Sequence, residues 1–245
     1  MVDVIAHRGN SAGAPENTLA AIRSAVELGA DGIEIDVRAT ADGRLVVMHD
    51  SSVRRTTSGS GQVDGLTLKQ LRALDAGSWF GEGFRGERVP TLEEAIAASR
   101  KTRLFIELKV DGIQEEVVRL VRAGKATKRV VVTARNDQWL KRVKELEPRI
   151  AVGHILLFSL FEPLGAHGDM DYLLPFWFFM GGSFVRKAHK AGLKVVPWTV
   201  NDTNTASRLA GDGADGVMTD KPAACMGLKR VTAARPARAR NAKPA

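Results

Sequence analysis

Short apolar runs alternate with amphipathic stretches along most of the chain, and that alternation limits the fold more than any other feature. Val2–Ala6, Gly32–Val37, Leu104–Lys109, Val130–Ala134, Ala151–Ile155, Asp171–Leu174, Val195–Val200 and Gly216–Thr219 read as strands. Helical periodicity lies between them, near residues 17–29, 91–100, 113–123, 137–147, 182–191 and 203–211. Gly29 and Gly192 punctuate helix ends, and Asn201-Asp202-Thr203 marks a start. Strands separated by helices argue for parallel pairing, because each crossover helix returns the chain to the end of the sheet where the previous strand began. Eight strands are the number that closes a barrel, and 245 residues fit one such domain. The expected fold is therefore α/β, a TIM-type (β/α)8 barrel over residues 1–228.

One run breaks the alternation. Arg44–His49 follows the second strand with no room for a helix, and Asp42-Gly43 is a hairpin signal. A two-residue turn there pairs residues whose numbers sum to 85, setting His49 opposite Asp36 at the barrel mouth. The glycine-rich residues 51–90 then read as a small insertion on the C-terminal face, with a short helix near Leu68–Leu74.

The formal charge of +8 invites a nucleic-acid reading, but its location argues against one. Lys229, Arg230, Arg235, Arg238, Arg240 and Lys243 carry six of those charges without one acidic neighbour, leaving +2 on the rest. Residues 229–245 are rich in Ala and Pro and read as a disordered basic tail rather than a nucleic-acid arm. A single cysteine, Cys225, excludes an intramolecular disulfide and a cysteine-built zinc site. The amino-terminal residues enter a strand directly, and no apolar run reaches the length of a membrane span, so a cytoplasmic protein is expected.

Chemistry concentrates at strand ends. Glu34 and Asp36 are two apart in a strand and so share a face, as do Glu107 and Lys109. Solvated edge charges would explain Glu107 with Lys109, or Asp36 with Arg38, taken alone. On barrel strands, however, the C-terminal ends converge on the mouth where active sites form. Three carboxylates meeting there repel one another unless a cation lies between them, and oxygen ligands favour Mg²⁺ or Ca²⁺ over zinc. His7 ends the first strand and His49 the hairpin, and imidazoles titrate near neutrality, as acid–base catalysis requires. Arg8 and Lys109 suit phosphate oxygens. His154, His167 and His189 read as structural, and Trp198, within an apolar strand, as core.

His7-Arg8-Gly9, Pro15-Glu16-Asn17-Thr18, Glu34-Ile35-Asp36-Val37, His49-Asp50, Arg55-Thr56-Thr57, Pro90-Thr91-Leu92, Glu107-Leu108-Lys109, Trp198-Thr199-Val200-Asn201 and Thr219-Asp220-Lys221-Pro222 occur in that order. The series resembles the glycerophosphodiester phosphodiesterase family over residues 2–225. The resemblance implies His7 and His49 as the catalytic pair, Glu34, Asp36 and Glu107 as ligands of a divalent ion, and Arg8, Lys109 and Trp198 as substrate contacts. It implies a small-molecule glycerophosphodiester substrate hydrolysed to glycerol 3-phosphate and an alcohol. A lysophospholipase D acting on lipid diesters and a silent phosphodiester-binding barrel are the alternatives. Glu16 and Asn17 read as a helix start close to the mouth. Two segments depart from the family pattern: Thr133-Ala134-Arg135, where relatives often carry Ser-Phe, and the aromatic residues 156–182. Within the latter, 172–180 offers an apolar lip for an acyl chain or a membrane surface.

Overall fold

The structure, a computed structural model, describes residues 2–157 and 170–227. His167 and the tail from Lys229 lie outside them. Among the described residues nine strands and eight α-helices alternate much as the sequence pattern requires: β1 Asp3–Ala6, α1 Leu19–Glu27, β2 Gly32–Ala39, β3 Leu45–Val47, α2 Leu68–Arg72, α3 Leu92–Ala98, β4 Arg103–Leu108, α4 Gln114–Ala123, β5 Val130–Ala134, α5 Asp137–Leu146, β6 Ala151–Leu156, β7 Tyr172–Pro175, α6 Gly182–Lys190, β8 Lys194–Val195, α7 Thr203–Gly211, β9 Gly216–Thr219 and α8 Pro222–Cys225. Apart from the antiparallel β3, the strands pair in parallel in the order β8-β7-β6-β5-β4-β2-β1-β9. Backbone hydrogen bonds close the circle between the ends: Asp215 N to Val195 O at 2.9 Å, Met218 N to Pro197 O at 2.9 Å and Val200 N to Met218 O at 2.8 Å. The expected barrel is the fold found. The eighth strand is shorter than the apolar run Val195–Val200, because Pro197 has no N–H to donate to a ladder.

Side-chain parity sorts the core into two shells. Ile33, Ile35 and Val37 point outward beneath the helices, together with Val132 and Val217. Ile5, Phe105, Val131, Ile155, Tyr172, Leu174, Val196 and Met218 fill the barrel itself. Three inward-facing glycines make room for them. A Cβ on Gly216 would meet Ile5 at 2.6 Å, one on Gly153 would meet Leu174 at 2.6 Å, and one on Gly32 would meet Phe105 at 3.0 Å. Phe105 packs edge-on against Tyr172 with ring centroids 5.7 Å apart. This plug supports the mouth above it.

The hairpin corrects the expected register. Val37 pairs with Val47, Arg38 with Val46 and Ala39 with Leu45, so paired numbers sum to 84 and Asp36 faces Met48 rather than His49. The turn holds three residues: Gly43 adopts φ 71°, Gly43 N bonds to Thr40 O, and Thr40 pairs with Arg44 through both its backbone N–H and its hydroxyl. A left-handed glycine closing a three-residue loop shifts the ladder by one. Residues 51–90 carry their own small core, Val53, Val63, Leu71, Ala76 and Val89, seated on Val46 and Met48.

Phe105→Ala should leave a cavity inside the barrel. The expected loss is about 3–5 kcal/mol of unfolding free energy, read from urea melts; a loss below about 1 kcal/mol would contradict the packing described.

Candidate active site

The β1–α1 connection is shaped by what it must hold. Arg8 and Gly9 both take left-handed backbone conformations, φ 56° and 80°, and a Cβ on Gly9 would lie 2.7 Å from the Ala21 backbone. Only glycine fits that approach. The turn aims the Arg8 amide at Glu34 Oε2, at 2.9 Å. Asn17, also left-handed at φ 58° and buried, donates Nδ2 to Asp36 Oδ2 at 2.8 Å and accepts the Asp36 amide at 3.2 Å. The expected helix-start role for Glu16 and Asn17 is therefore corrected. Thr18 caps α1, and Glu16 instead bonds Arg8 and Arg55.

Glu34, Asp36 and Glu107 each present an oxygen within 4.8 Å of the other two. Asp36 and Glu107 are neighbours because β2 and β4 pair in that register. Carboxylates this close repel by about 3–4 kcal/mol per pair at an effective dielectric near 20. Burial and the Asp36 charge push the Glu34 carboxyl up. Against the same burial, Lys109 and Arg8 hold Asp36 down. Glu34 Oε1 and Asp36 Oδ1 are buried without a hydrogen-bond partner; Lys109 Nζ, 3.0 Å from Asp36 Oδ1, supplies charge there without hydrogen-bond geometry. Two orphaned carboxylate oxygens within a three-carboxylate cluster are a donor set that fits a hard divalent cation.

Both histidines are fixed through Nδ1. His7 Nδ1 lies 2.7 Å from Asp220 Oδ1, and His49 Nδ1 lies 2.7 Å from Asp50 Oδ1. A carboxylate at Nδ1 sets the tautomer and leaves Nε2 for other partners; His7 Nε2 stands 3.9 Å from Glu34. Burial lowers both rings' affinity for protons. Asp220 and Glu34 more than reverse this at His7, whereas at His49 burial prevails over Asp36 and Asp50. The carboxylate partners escaped the sequence reading. Asp220 was findable, since it continues the inward parity of Gly216 and Met218 beyond β9; Asp50 simply follows His49.

A cavity of about 80 Å³ lies among these groups, with His7, Arg8, Glu34, His49, Glu107 and Lys109 on one side. Ile155, Leu174, Trp198 and Met218 line the other. Trp198 is held by its indole N–H, which donates to Leu174 O at 2.7 Å. Arg8 and Lys109 are in the lining, but both are engaged by carboxylates: Arg8 with Glu16 at 2.7 Å and Asp36 at 3.4 Å, Lys109 with Glu107 and Asp36. His154 and His189 lie outside it. His154 Nε2 meets Arg135 O, and His189 pairs with Asp215.

This constellation has known relatives. The sequence profile described as "Glycerophosphoryl diester phosphodiesterase family" matches residues 7–224. The chain belongs to that family. It is 40% identical to a glycerophosphodiester phosphodiesterase of Caldanaerobacter subterraneus subsp. tengcongensis over 93% of this chain and 97% of that one. Among solved structures, a phosphodiesterase of Oleispira antarctica in complex with the product sn-glycerol-3-phosphate superposes with a TM-score of 0.86 at 34% identity, covering 93% of this chain and 96% of that one. The glycerophosphodiester phosphodiesterase of Agrobacterium tumefaciens gives 0.79 at 29% identity over 93% and 100%. Among the described residues no helix is long and apolar enough to cross a membrane.

If the carboxylate cluster takes a divalent ion, millimolar Mg²⁺ or Ca²⁺ should raise the melting temperature of chelator-treated protein, since a ligand of the native state stabilises it. Glu34→Gln should remove most of that rise. An unchanged melting temperature with either ion would count against the site.

Proposed function

We propose that this glycerophosphodiester phosphodiesterase cleaves small, water-soluble diesters to glycerol 3-phosphate and the free alcohol, using His7 and His49 as an acid–base pair beside one divalent cation. What carries the reading is the convergence of two carboxylate-anchored histidines, Glu34 and Glu107 on one cavity, with Asp36 completing the carboxylate cluster behind them. The product bound to the Oleispira relative supports the substrate class. In the same reading, residues 1–228 form one barrel unit with 51–90 as its insertion.

Glu34, Asp36 and Glu107 would hold the ion, which when bound offsets charge on phosphate and alkoxide oxygens. One histidine accepts the proton of the glycerol 2-hydroxyl as that oxygen bonds to phosphorus. The other donates a proton to the alcohol oxygen as its bond to phosphorus breaks. Water then opens the cyclic phosphate with the two roles exchanged, and each ring returns to its starting state. Asp220 and Asp50 keep the rings oriented throughout. Arg8 and Lys109 face the phosphate, and Trp198 walls the chamber that receives one ester arm. Purified protein assayed on glycerophosphocholine should be active with divalent metal and inactive after chelation. His7→Ala and His49→Ala should each lower kcat by roughly 10²–10⁴-fold with an unchanged melting temperature. Near-normal turnover in either variant would reject the pair.

A second reading, lysophospholipid cleavage, is favoured by one observation. Phe178 is 66% exposed beside the mouth, in a turn where Phe176 packs on both Trp177 and Trp198. Exposed apolar surface of this kind marks binding sites. Phe178→Ala should then slow lysophosphatidylcholine cleavage selectively; equal effects on lipid and water-soluble diesters leave the soluble substrate as the better choice.

A further inference from the structure

A second cavity of about 370 Å³ opens from the first and shares His49, Glu107, Lys109 and Arg135 with it. Its remaining walls are Arg38, Leu108, Asn136 and Trp139. The reacting phosphorus must lie near His49, where the two cavities join. The two ester arms of a diester then have one chamber each. The small chamber suits the glycerol arm, which is constant among substrates, and the open groove suits the alcohol, which varies.

The groove is unbalanced in charge. Glu107 is its only carboxylate among the described residues, and Lys109 already pairs with it. Arg38 is held in place by its Nε, which donates to His49 O at 2.9 Å, and forms no ion pair among the described residues. Arg135 is exposed, and no carboxylate there lies within ion-pair distance of it. Arg8 and Arg55, by contrast, are both tied to acids. The backbone beneath Arg135 is fixed, because its carbonyl meets His154 Nε2 at 2.9 Å. Thr133, two residues earlier on the same face, has a buried hydroxyl in the cavity lining with no partner. The end of β5 thus presents an unpaired cation and an orphaned hydroxyl to the space a substrate must occupy.

We propose that Arg135, with Arg38, forms a subsite selecting a leaving alcohol that carries a second anionic group, a carboxylate or a phosphate. The selection rests on the diesterase reading above. Arg135, outside any ion pair among the described residues, pairs with such an anion and repels a quaternary ammonium arm, and Arg38 adds a second guanidinium on the same groove wall.

Metal-loaded enzyme is assayed on two matched substrate pairs. Glycerophosphoserine against glycerophosphoethanolamine differs by a carboxylate, and glycerophosphoglycerol phosphate against glycerophosphoglycerol differs by a phosphate. Within at least one pair, kcat/KM for the anionic member should lead by roughly tenfold at low salt, and the lead should shrink with ionic strength. The leading pair identifies the anion. Arg135→Gln should reduce that lead to within about threefold, and Arg135→Lys should retain part of it. No lead in either pair, or a lead that Arg135→Gln leaves intact, overturns the subsite. Loss of every substrate in equal proportion in Arg135→Gln, at an unchanged melting temperature, also overturns it. Failure of the unaltered enzyme to cleave any diester would overturn the diesterase reading itself, and this inference with it.

Discussion

Glu34 and Asp36 share one face of β2, both almost fully buried, and each must be accommodated against the charge of the other. Removing one partner from a buried ionic group typically costs about 3–5 kcal/mol, so their neighbours are not free to vary. The demand is met from the β1–α1 connection and from β4. Arg8 gives its amide to Glu34 and its guanidinium to Asp36, Asn17 grips Asp36 twice, and Lys109 reaches both Asp36 and Glu107. Three unusual backbone positions, Arg8, Gly9 and Asn17, lie within the connection that makes these contacts. The local strain and the buried charge belong to one arrangement.

The same charges connect the two histidines. Arg8 bonds Glu16, Glu16 bonds Arg55, Arg55 bonds Asp50, and Asp50 bonds His49, each at 2.7 Å. His7, next to Arg8, is held at its far side by Asp220. The insertion thus contributes Arg55 to a chain of alternating charge running from β1 to the hairpin. Its outer links are exposed and individually weak. As a network that fixes which way His49 faces, they matter through orientation more than through stability.

Much of this was legible in the sequence, for identifiable reasons. Parity within a strand is strict, so Glu34 with Asp36 and Glu107 with Lys109 could be placed on inward faces before any pairing was known. Parallel alternation fixed where those faces converge. The hairpin register was not legible. Asp42-Gly43 permits either a two-residue or a three-residue loop, and the choice depends on Thr40 bonding back to Arg44. His49 reaches the mouth in both cases, which is why its placement survived a ladder shifted by one. The carboxylate on His7 comes from the last strand, 213 residues away, and only barrel closure brings it near. Likewise Asn17 looked like a cap because caps and carboxylate-binding amides use the same residue types; the left-handed backbone that decides between them has no local sequence signature.

The two halves of the mouth differ in kind. The ends of β1 to β5 contribute His7, Arg8, Glu34, His49, Glu107, Lys109 and Arg135, whereas the far side carries Ile155, Leu174, Trp198 and Met218. A phosphodiester therefore meets its charge partners on one side only. There, carboxylates already engage Arg8 and Lys109, which leaves Arg135 as the lining cation outside any ion pair among the described residues. Neither Arg8 nor Lys109 can serve the carboxylates and the phosphate equally at the same time. A divalent ion held by Glu34, Asp36 and Glu107 would ease that conflict, since it would balance the carboxylates and leave Arg8 and Lys109 to face the phosphate. On this argument a cation among the three carboxylates would ready the pocket for an anion, and that charge balance is the physical basis of the proposed metal dependence.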